Sequence, residues 1–571
     1  MPRSRSKDDE LEGRVNRLRA IFLLGFMATA SVFAFSSATN VYITPDGSSQ
    51  GNCASSQHNP SWFNNSANWG GGAAQIGPGT TVLFCGTFTD VVNGTLLTAH
   101  GSGSSGNPVT LKFDTGAVWQ SPAEATFLIL DGQSHFVVDG GSPCGWINLA
   151  VVSCNGTIQN TDNGTNLDYK NYGSAGISAS GSNDVEIRNL QIGPIYLKVG
   201  TGDQLSGAPG PQCVRITNPS NSGFSGVNIH NNVMHDVGWC VWGGTNNLTI
   251  ANNEIYYLDH GLGFGNNTDG SSTWSGVNLH DNHLHDFANW DTTSNDFHHD
   301  GFHMFAYAAD GYDFNVNNII ENINIYNNVF DGDFGNNNTA NIFFEGNEQN
   351  ANIFNNITIV YSGRLLDNGL YNGYGSNINF YNNTALGSGS QYQTQKYSVF
   401  TGPNFNIKNN IWTDGGTISV NSPFPNDCPG YTKCQTVSYT LETNAYLAPK
   451  DFSNGFGSLK NGFYNFSASD FASFESDTGE TGGVFKDTTE PNGNWLSATT
   501  GQEITGSPTI NAGTNLASLC SKNGGQLPDA FCSDIAGNPR PGVGGGNWDI
   551  GAYFSAEDLP APPTGLTAVV Q

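Results

Sequence analysis

The sequence predicts an all-β solenoid, one chain wound as a single-stranded parallel β-helix with a cap at its start and a less regular end. Three observations predict it. First, a segment recurs in which a β-prone alternation runs into an Asn pair or its equivalent: Ser225-Gly-Val-Asn-Ile-His-Asn-Asn, Asn246-Asn-Leu-Thr-Ile-Ala-Asn-Asn, Ser275-Gly-Val-Asn-Leu-His-Asp-Asn, Glu321-Asn-Ile-Asn-Ile-Tyr-Asn-Asn and Ser376-Asn-Ile-Asn-Phe-Tyr-Asn-Asn. Weaker copies start at Asp184, Asn356 and Phe405. Second, the last Asn of the successive copies, at 232, 253, 282, 328, 383 and 410, recurs every 21, 29, 46, 55 and 27 residues, and the copy near Asn356 splits the 55. A unit near twenty residues with variable additions is too short for a propeller blade and suits one solenoid turn. Third, helical i, i+3, i+4 spacing is missing after residue 38.

The residue types follow from stacking. Each turn sets a strand ~4.8 Å above the one below, so Ile229, Ile250, Leu279, Ile325 and Phe380, which share one position of the repeat, are expected to form an interior column. Asn at the bends can bond its equivalents above and below and tolerates left-handed backbone.

Taken in order, Arg14, Arg17 and Arg19 precede the mostly apolar run Ala20 to Phe35, and Ser36-Ser37-Ala38 follows as a small-x-small site. Residues 1–38 read as a secretory signal, since sixteen residues fall short of the ~20 of a membrane span. An uncleaved anchor is the alternative. Residues 39–180 read as cap and first turns, 181–420 as the regular repeat, 421–555 as the irregular end and 556–571 as a Pro-rich tail. A secreted or surface-held monomer with no membrane span after signal cleavage is expected.

Composition agrees. Only 12% of the 571 residues are charged, which excludes a coiled coil, and 12% aromatics exclude a disordered chain. A net charge of -28 excludes nucleic acid as a partner, because phosphate binding needs a basic face. Ten cysteines fall into sequence-local couples, Cys53 with Cys85, Cys144 with Cys154, Cys213 with Cys240, Cys428 with Cys434 and Cys520 with Cys532. These are expected to be disulfides in an exported protein.

The Asn-Asn turns resemble those of the secreted bacterial right-handed parallel β-helix proteins of the pectin-lyase-like superfamily. So do Asn40-Val-Tyr-Ile-Thr-Pro-Asp-Gly at the start and Ser507-Pro-Thr-Ile-Asn-Ala-Gly, Asp534-Ile-Ala-Gly-Asn-Pro-Arg-Pro and Trp548-Asp-Ile-Gly-Ala-Tyr at the end. The resemblance implies right-handedness and action on a polysaccharide. Polygalacturonases of this fold carry Asn-Thr-Asp, Asp-Asp, Gly-His-Gly and Arg-Ile-Lys; here Asp259-His260-Gly261 lacks the first Gly and Arg-Ile-Lys is missing. Pectate and alginate lyases are expected to set Lys or Arg beside a uronate. None occurs from Ile216 to Gly363, so a lyase would borrow Arg215, Arg364 or Lys396, or use Ca²⁺ held by Asp side chains. A neutral glycan and hydrolysis fit better, with non-catalytic glycan binding, or a structural surface role in which the His cluster only binds metal, as the alternatives.

Chemistry is expected in the long irregularity between Asn282 and Asn328, where five of the 12 His fall between residues 283 and 303. His299, Asp300 and His303, with Asp296, are the candidate catalytic residues, and His298, Asp259, His260, Trp290 and Arg364 the candidate substrate contacts. Glu345, a lone acid in the β-prone Ile342-Phe-Phe-Glu-Gly, completes a carboxylate pair with Asp300 or Asp296 suited to glycoside hydrolysis. Alternation from Phe302 predicts Phe302 and Met304 on one face and His303 on the other. No residue is assigned as a metal ligand; Ca²⁺ is the one cofactor left open.

Overall fold

The computed structural model describes residues 39–555 apart from segments that include 163–173, 197–209, 266–271, 291–298, 307–317, 360–363, 369–375, 387–396, 421–437, 449–456 and 488–494. The signal segment, the Pro-rich tail and the Cys428–Cys434 couple lie outside the described residues.

β-Branched and aromatic residues at alternate positions make short strands that stack in parallel and in register. A first sheet of 13 strands runs from Asn40–Ile43 to Tyr439–Glu442. The remaining parallel strands form two further faces, joined where Val233–Gly243 and Glu254–Gly265 run unbroken round the corner between them. The expected column forms: Ile229, Ile250, Leu279 and Ile325 pair in sequence, Ile353 follows, then Phe380 and Ile407, all buried. Ile353 marks a correction. The first-sheet strand of that turn is Glu348–Phe354, whereas the weak copy beginning at Asn356 is a bend residue followed by the two-residue strand Ile357–Thr358 of the second sheet.

From Ser225–His230 onward, the first-sheet strands end in two residues with different tasks. The first is left-handed, with φ near +55° at Asn231, Asn252, Asp281, Asn327 and Asn355, a conformation Asn and Asp tolerate. The second is buried and forms a ladder: Asn232, Asn253, Asn282, Asn328, Asn356, Asn383, Asn410 and Asn444 each donate backbone and side-chain N–H to the next rung's side-chain oxygen, ending on Glu480.

The expected absence of helix is corrected at Ala468–Thr478, where Ser467 caps the start, Gly479 turns left-handed at the end, and Phe471 and Phe474, three apart, pack on Tyr446. At the opposite end Phe63 and Trp69 cover Phe84. No helix among the described residues is long and apolar enough to cross a membrane.

Two segments lie lengthwise over the left-handed bend column. Between Asn511 and Ser555 the chain runs back, taking bonds from Asn355 to Ser533, from Asn382 to Asp549 and Gly551, and from Asn409 to Thr514. The hairpin Gly145–Ile147 and Ala150–Val152 covers an earlier stretch, where the Trp146 N–H bonds the Asn252 carbonyl. Gly145 has φ +85°, and a Cβ there would stand 2.5 Å from that carbonyl oxygen, so only glycine fits.

Cys53–Cys85, Cys144–Cys154 and Cys520–Cys532 are disulfides. Cys213 and Cys240 are buried free thiols, which corrects the expected disulfide between them. Their neighbours pair as Gln212 with Trp239 and Val214 with Val241, so the two cysteines stand opposite each other in register. Parallel strands hold such Cβ atoms about a strand spacing apart, ~4.8 Å, farther than the ~3.8 Å a disulfide favours.

Candidate functional site

The strand His299–Ala306 lies on the third face between Glu254–Gly265 and Asn338–Gly346. Phe302 and Met304 enter the core and His303 faces away, as alternation predicts. On the side of the preceding turn Asp300 pairs with His260 without a shift, whereas on the other side the register shifts between His299 and Asp300, leaving Thr339 of the following strand as the extra residue.

The result is a chain of alternating carboxylates and imidazoles. Asp259 reaches His299 Nδ1 at 3.0 Å and His260 Nδ1 at 2.6 Å. His260 Nε2 stands 3.3 Å from Asp300 Oδ2, and the same oxygen is 3.5 Å from His303 Nδ1. His303 Nε2 then meets Glu345 Oε2 at 2.8 Å. The Ala340 N–H donates to Asp300 Oδ1 and fixes that carboxylate. Glu345 keeps 18% of its side chain exposed, against 7% for His303 and 0% for Asp300 and His299. His299, Asp300, His303 and Glu345 therefore do not share one outer groove: Glu345 is the outward end of a chain whose other members are buried, and the Trp239 ring stacks on His260 at 3.9 Å.

Burial pushes the Asp259 acid up, but the His260 and His299 imidazoles outweigh it and hold the group below the usual carboxylate range. Burial pulls His303 down, and the Glu345 and Asp300 carboxylates only partly oppose it, so this imidazole is neutral at neutral pH. Glu348, also buried, has its acid pushed well up by desolvation, with the Glu345 charge adding.

Aromatic rings adjoin the chain. Trp242 and Phe305 lie 5.6 Å apart and nearly parallel, and Phe343 is 4.7 Å from His303. Gly263 leaves room for them, since a Cβ there would fall 2.0 Å from the Trp239 ring. The sequence reading missed these rings. Their signal is His260-Gly-Leu-Gly-Phe-Gly, a strand with glycine at alternate positions beside strands carrying large rings.

Of the other candidates, Asp296 and His298 lie outside the described residues. Trp290 ends the short 3-10 turn Phe287–Trp290. Arg364 opens the strand Arg364–Asn368 and pairs with Ala340, which pairs with Asp300, so its backbone stands two strands from the chain.

A second cluster sits on the second face. Glu254 bonds His283 Nδ1 at 2.9 Å and His285 Nε2 at 2.7 Å, and the outer ring nitrogens bond Asp331 at 2.9 Å and Asp286 at 2.7 Å. Trp146 of the covering hairpin packs on His283. Burial works against the His283 charge, but Asp331 and Glu254 raise it to about 9.

Long in-register parallel sheets around one core define a parallel β-helix. No protein-family model matches the chain, and no curated protein matches it. Among solved structures, the pectate lyase Pel9A is similar at 15% identity and TM-score 0.39, over 91% of this chain and 97% of that one. A variant of the PL6 family alginate lyase AlyGC is similar at 12% identity and TM-score 0.25, over 76% of this chain and 56% of that one.

Proposed function

We propose that this protein is a secreted enzyme that cleaves a polysaccharide at Glu345, by hydrolysis in preference to β-elimination. The carrying observation is that Glu345 is a partly exposed carboxylate held at 2.8 Å by a buried, neutral imidazole, His303, whose other nitrogen faces buried Asp300. A proton-transferring group needs a fixed position and a partner that stabilises both its protonation states. His303 donates to the Glu345 carboxylate while Glu345 acts as a base, and Asp300, His260 and Asp259 hold the ring behind it.

Asp300 is a positioning residue, since His303 stands between it and Glu345. Trp242, partly exposed and backed by the buried Phe305, offers an apolar face of the kind that pyranose rings stack on. No Lys or Arg occurs in the sequence from Ile216 to Gly363, which favours a neutral glycan and hydrolysis over elimination from a uronate.

Binding without cleavage is the second reading. A groove of about 990 Å³ runs along the first sheet, floored by the amide ladder Asn324, Asn352, Asn379 and Asn406 and containing no acidic side chain. The test is a panel of neutral and uronate glycans, read for reducing ends and for unsaturated products. New reducing ends without unsaturation support hydrolysis; unsaturated products overturn it; retention on a glycan column with neither product favours the second reading.

A further inference from the structure

We propose that His260 Nε2, Asp300 Oδ2 and His303 Nδ1 bind a divalent transition-metal ion of the zinc class. This deepens the reading of the same site, but it rests on separate observations and is measured separately.

The spacing is the first observation. The Asp300 oxygen stands 3.3 Å from one imidazole nitrogen and 3.5 Å from the other, and all three atoms lie within 4.8 Å of one another. A tetrahedral zinc ion with nitrogen and oxygen ligands at ~2.0–2.1 Å places its ligand atoms about 3.3–3.4 Å apart. The second cluster gives the contrast. Around Glu254 the corresponding spacings are 2.9 and 2.7 Å, which are hydrogen-bond lengths and leave no such opening.

The outer nitrogens are the second observation. His260 Nδ1 meets Asp259 at 2.6 Å and His303 Nε2 meets Glu345 at 2.8 Å. Metal-bound imidazoles place their remote N–H on a carboxylate in this way, which fixes the ring and raises its basicity. The two rings present opposite nitrogens to the common point, one Nε2 and one Nδ1, so the shared centre is not a by-product of identical stacking.

Charge is the third. Asp259, Asp300 and Glu345 bring three carboxylates to a mostly buried cluster, in a stretch with no Lys or Arg from Ile216 to Gly363. Buried carboxylates need a counter-charge or a metal. Two imidazoles with one carboxylate suit zinc, whereas Ca²⁺ prefers an all-oxygen shell. Three protein ligands with a fourth position for water is the arrangement of catalytic zinc.

The full-length protein, stripped with a chelator, is to be titrated with Zn²⁺ by calorimetry and with Co²⁺ by visible absorbance. One ion per chain and a tetrahedral cobalt spectrum are expected. Asp300→Asn, His260→Gln and His303→Gln should each lose at least about tenfold in affinity, while Glu345→Gln, which removes only an outer partner, should lose about 10–100-fold or less. His283→Gln should bind as the parent does. Melting curves identify any variant that fails to fold, and three independent ligand variants keep the outcome decidable. No uptake of either metal by the parent, or uptake lost in His283→Gln but kept in all three ligand variants, overturns the proposal. Metal binding without glycan cleavage leaves this site standing and removes the proposed function; cleavage unaffected by chelation with no bound metal does the reverse.

Discussion

Asn328 illustrates what one residue does in this solenoid. Its side-chain oxygen accepts both N–H groups of Asn282, its amide donates to the Leu279 carbonyl and to Asn356, and none of it is exposed. Alanine there would strand buried donors at about 1–3 kcal/mol each. We expect Asn328→Ala to lower the urea midpoint markedly, and Asn328→Asp, which keeps the acceptor, to lower it less; equal midpoints for all three proteins would refute the ladder's role. The repeat made this legible, because Asn pairs in register imply stacked amides. His303 was legible for the same reason, alternation from Phe302. Asp300 was named from the same cluster, but its complete burial beside His260 and His303 was not, since a local pattern does not state which neighbours of the preceding turn will cover a residue. Nor were Trp239 and Trp242, whose ring positions depend on glycines one strand away.

At the scale of elements, the second face is tied by a titratable network. The His283 imidazole, raised to about 9 by Asp331 and Glu254 against the cost of burial, contributes stability that is whole below its unfolded value of ~6.5 and is lost as pH climbs through 9. Glu254, which burial raises but His283 and His285 lower below its ordinary value, contributes above the ordinary carboxylate range and loses that contribution as pH falls. The tie between these strands should therefore be strongest near pH 5 to 6.5. The melting temperature of the parent should exceed that of His283→Gln at pH 6, by the equivalent of up to roughly 3 kcal/mol, and the gap should shrink by pH 9.5. A gap independent of pH would contradict the network. Cys213 and Cys240 make a sharper case at the same scale. Their separation of 27 residues suggested a disulfide between turns, but sequence distance says nothing about Cβ spacing in an in-register pair. Alkylation under denaturing, non-reducing conditions should label both, and an intact link between them would refute the register.

Across the whole molecule, most contacts join adjacent turns, as solenoids require. The exceptions are the hairpin around Trp146 and the returning segment between Asn511 and Ser555, which bridge several turns over the bend column. Phe531 is the keystone of the latter, packed on Phe354, Tyr381 and Trp548. Phe531→Ala should cost about 3–5 kcal/mol and open the turns near Asn355 to Asn409 to hydrogen exchange; exchange confined to residues near 531 would mean that the return segment is only an appendage. The motifs at Ser507, Asp534 and Trp548 announced a terminal segment, yet its path back over the bends was not legible. Nothing in a local pattern states which distant carbonyls will meet Asn355 and Asn382.

Glu345, held by His303, is the group proposed to transfer the proton in glycan cleavage. The most direct measurement compares the parent with Glu345→Gln on a glycan that the parent cuts, reading product formation and melting temperature together. A loss of turnover of at least 10²-fold is expected, in the range of general acid–base catalysis, with the melting temperature nearly unchanged because Glu345 is the most exposed member of its chain. Turnover within a few-fold of the parent in a fully folded Glu345→Gln protein would contradict that role.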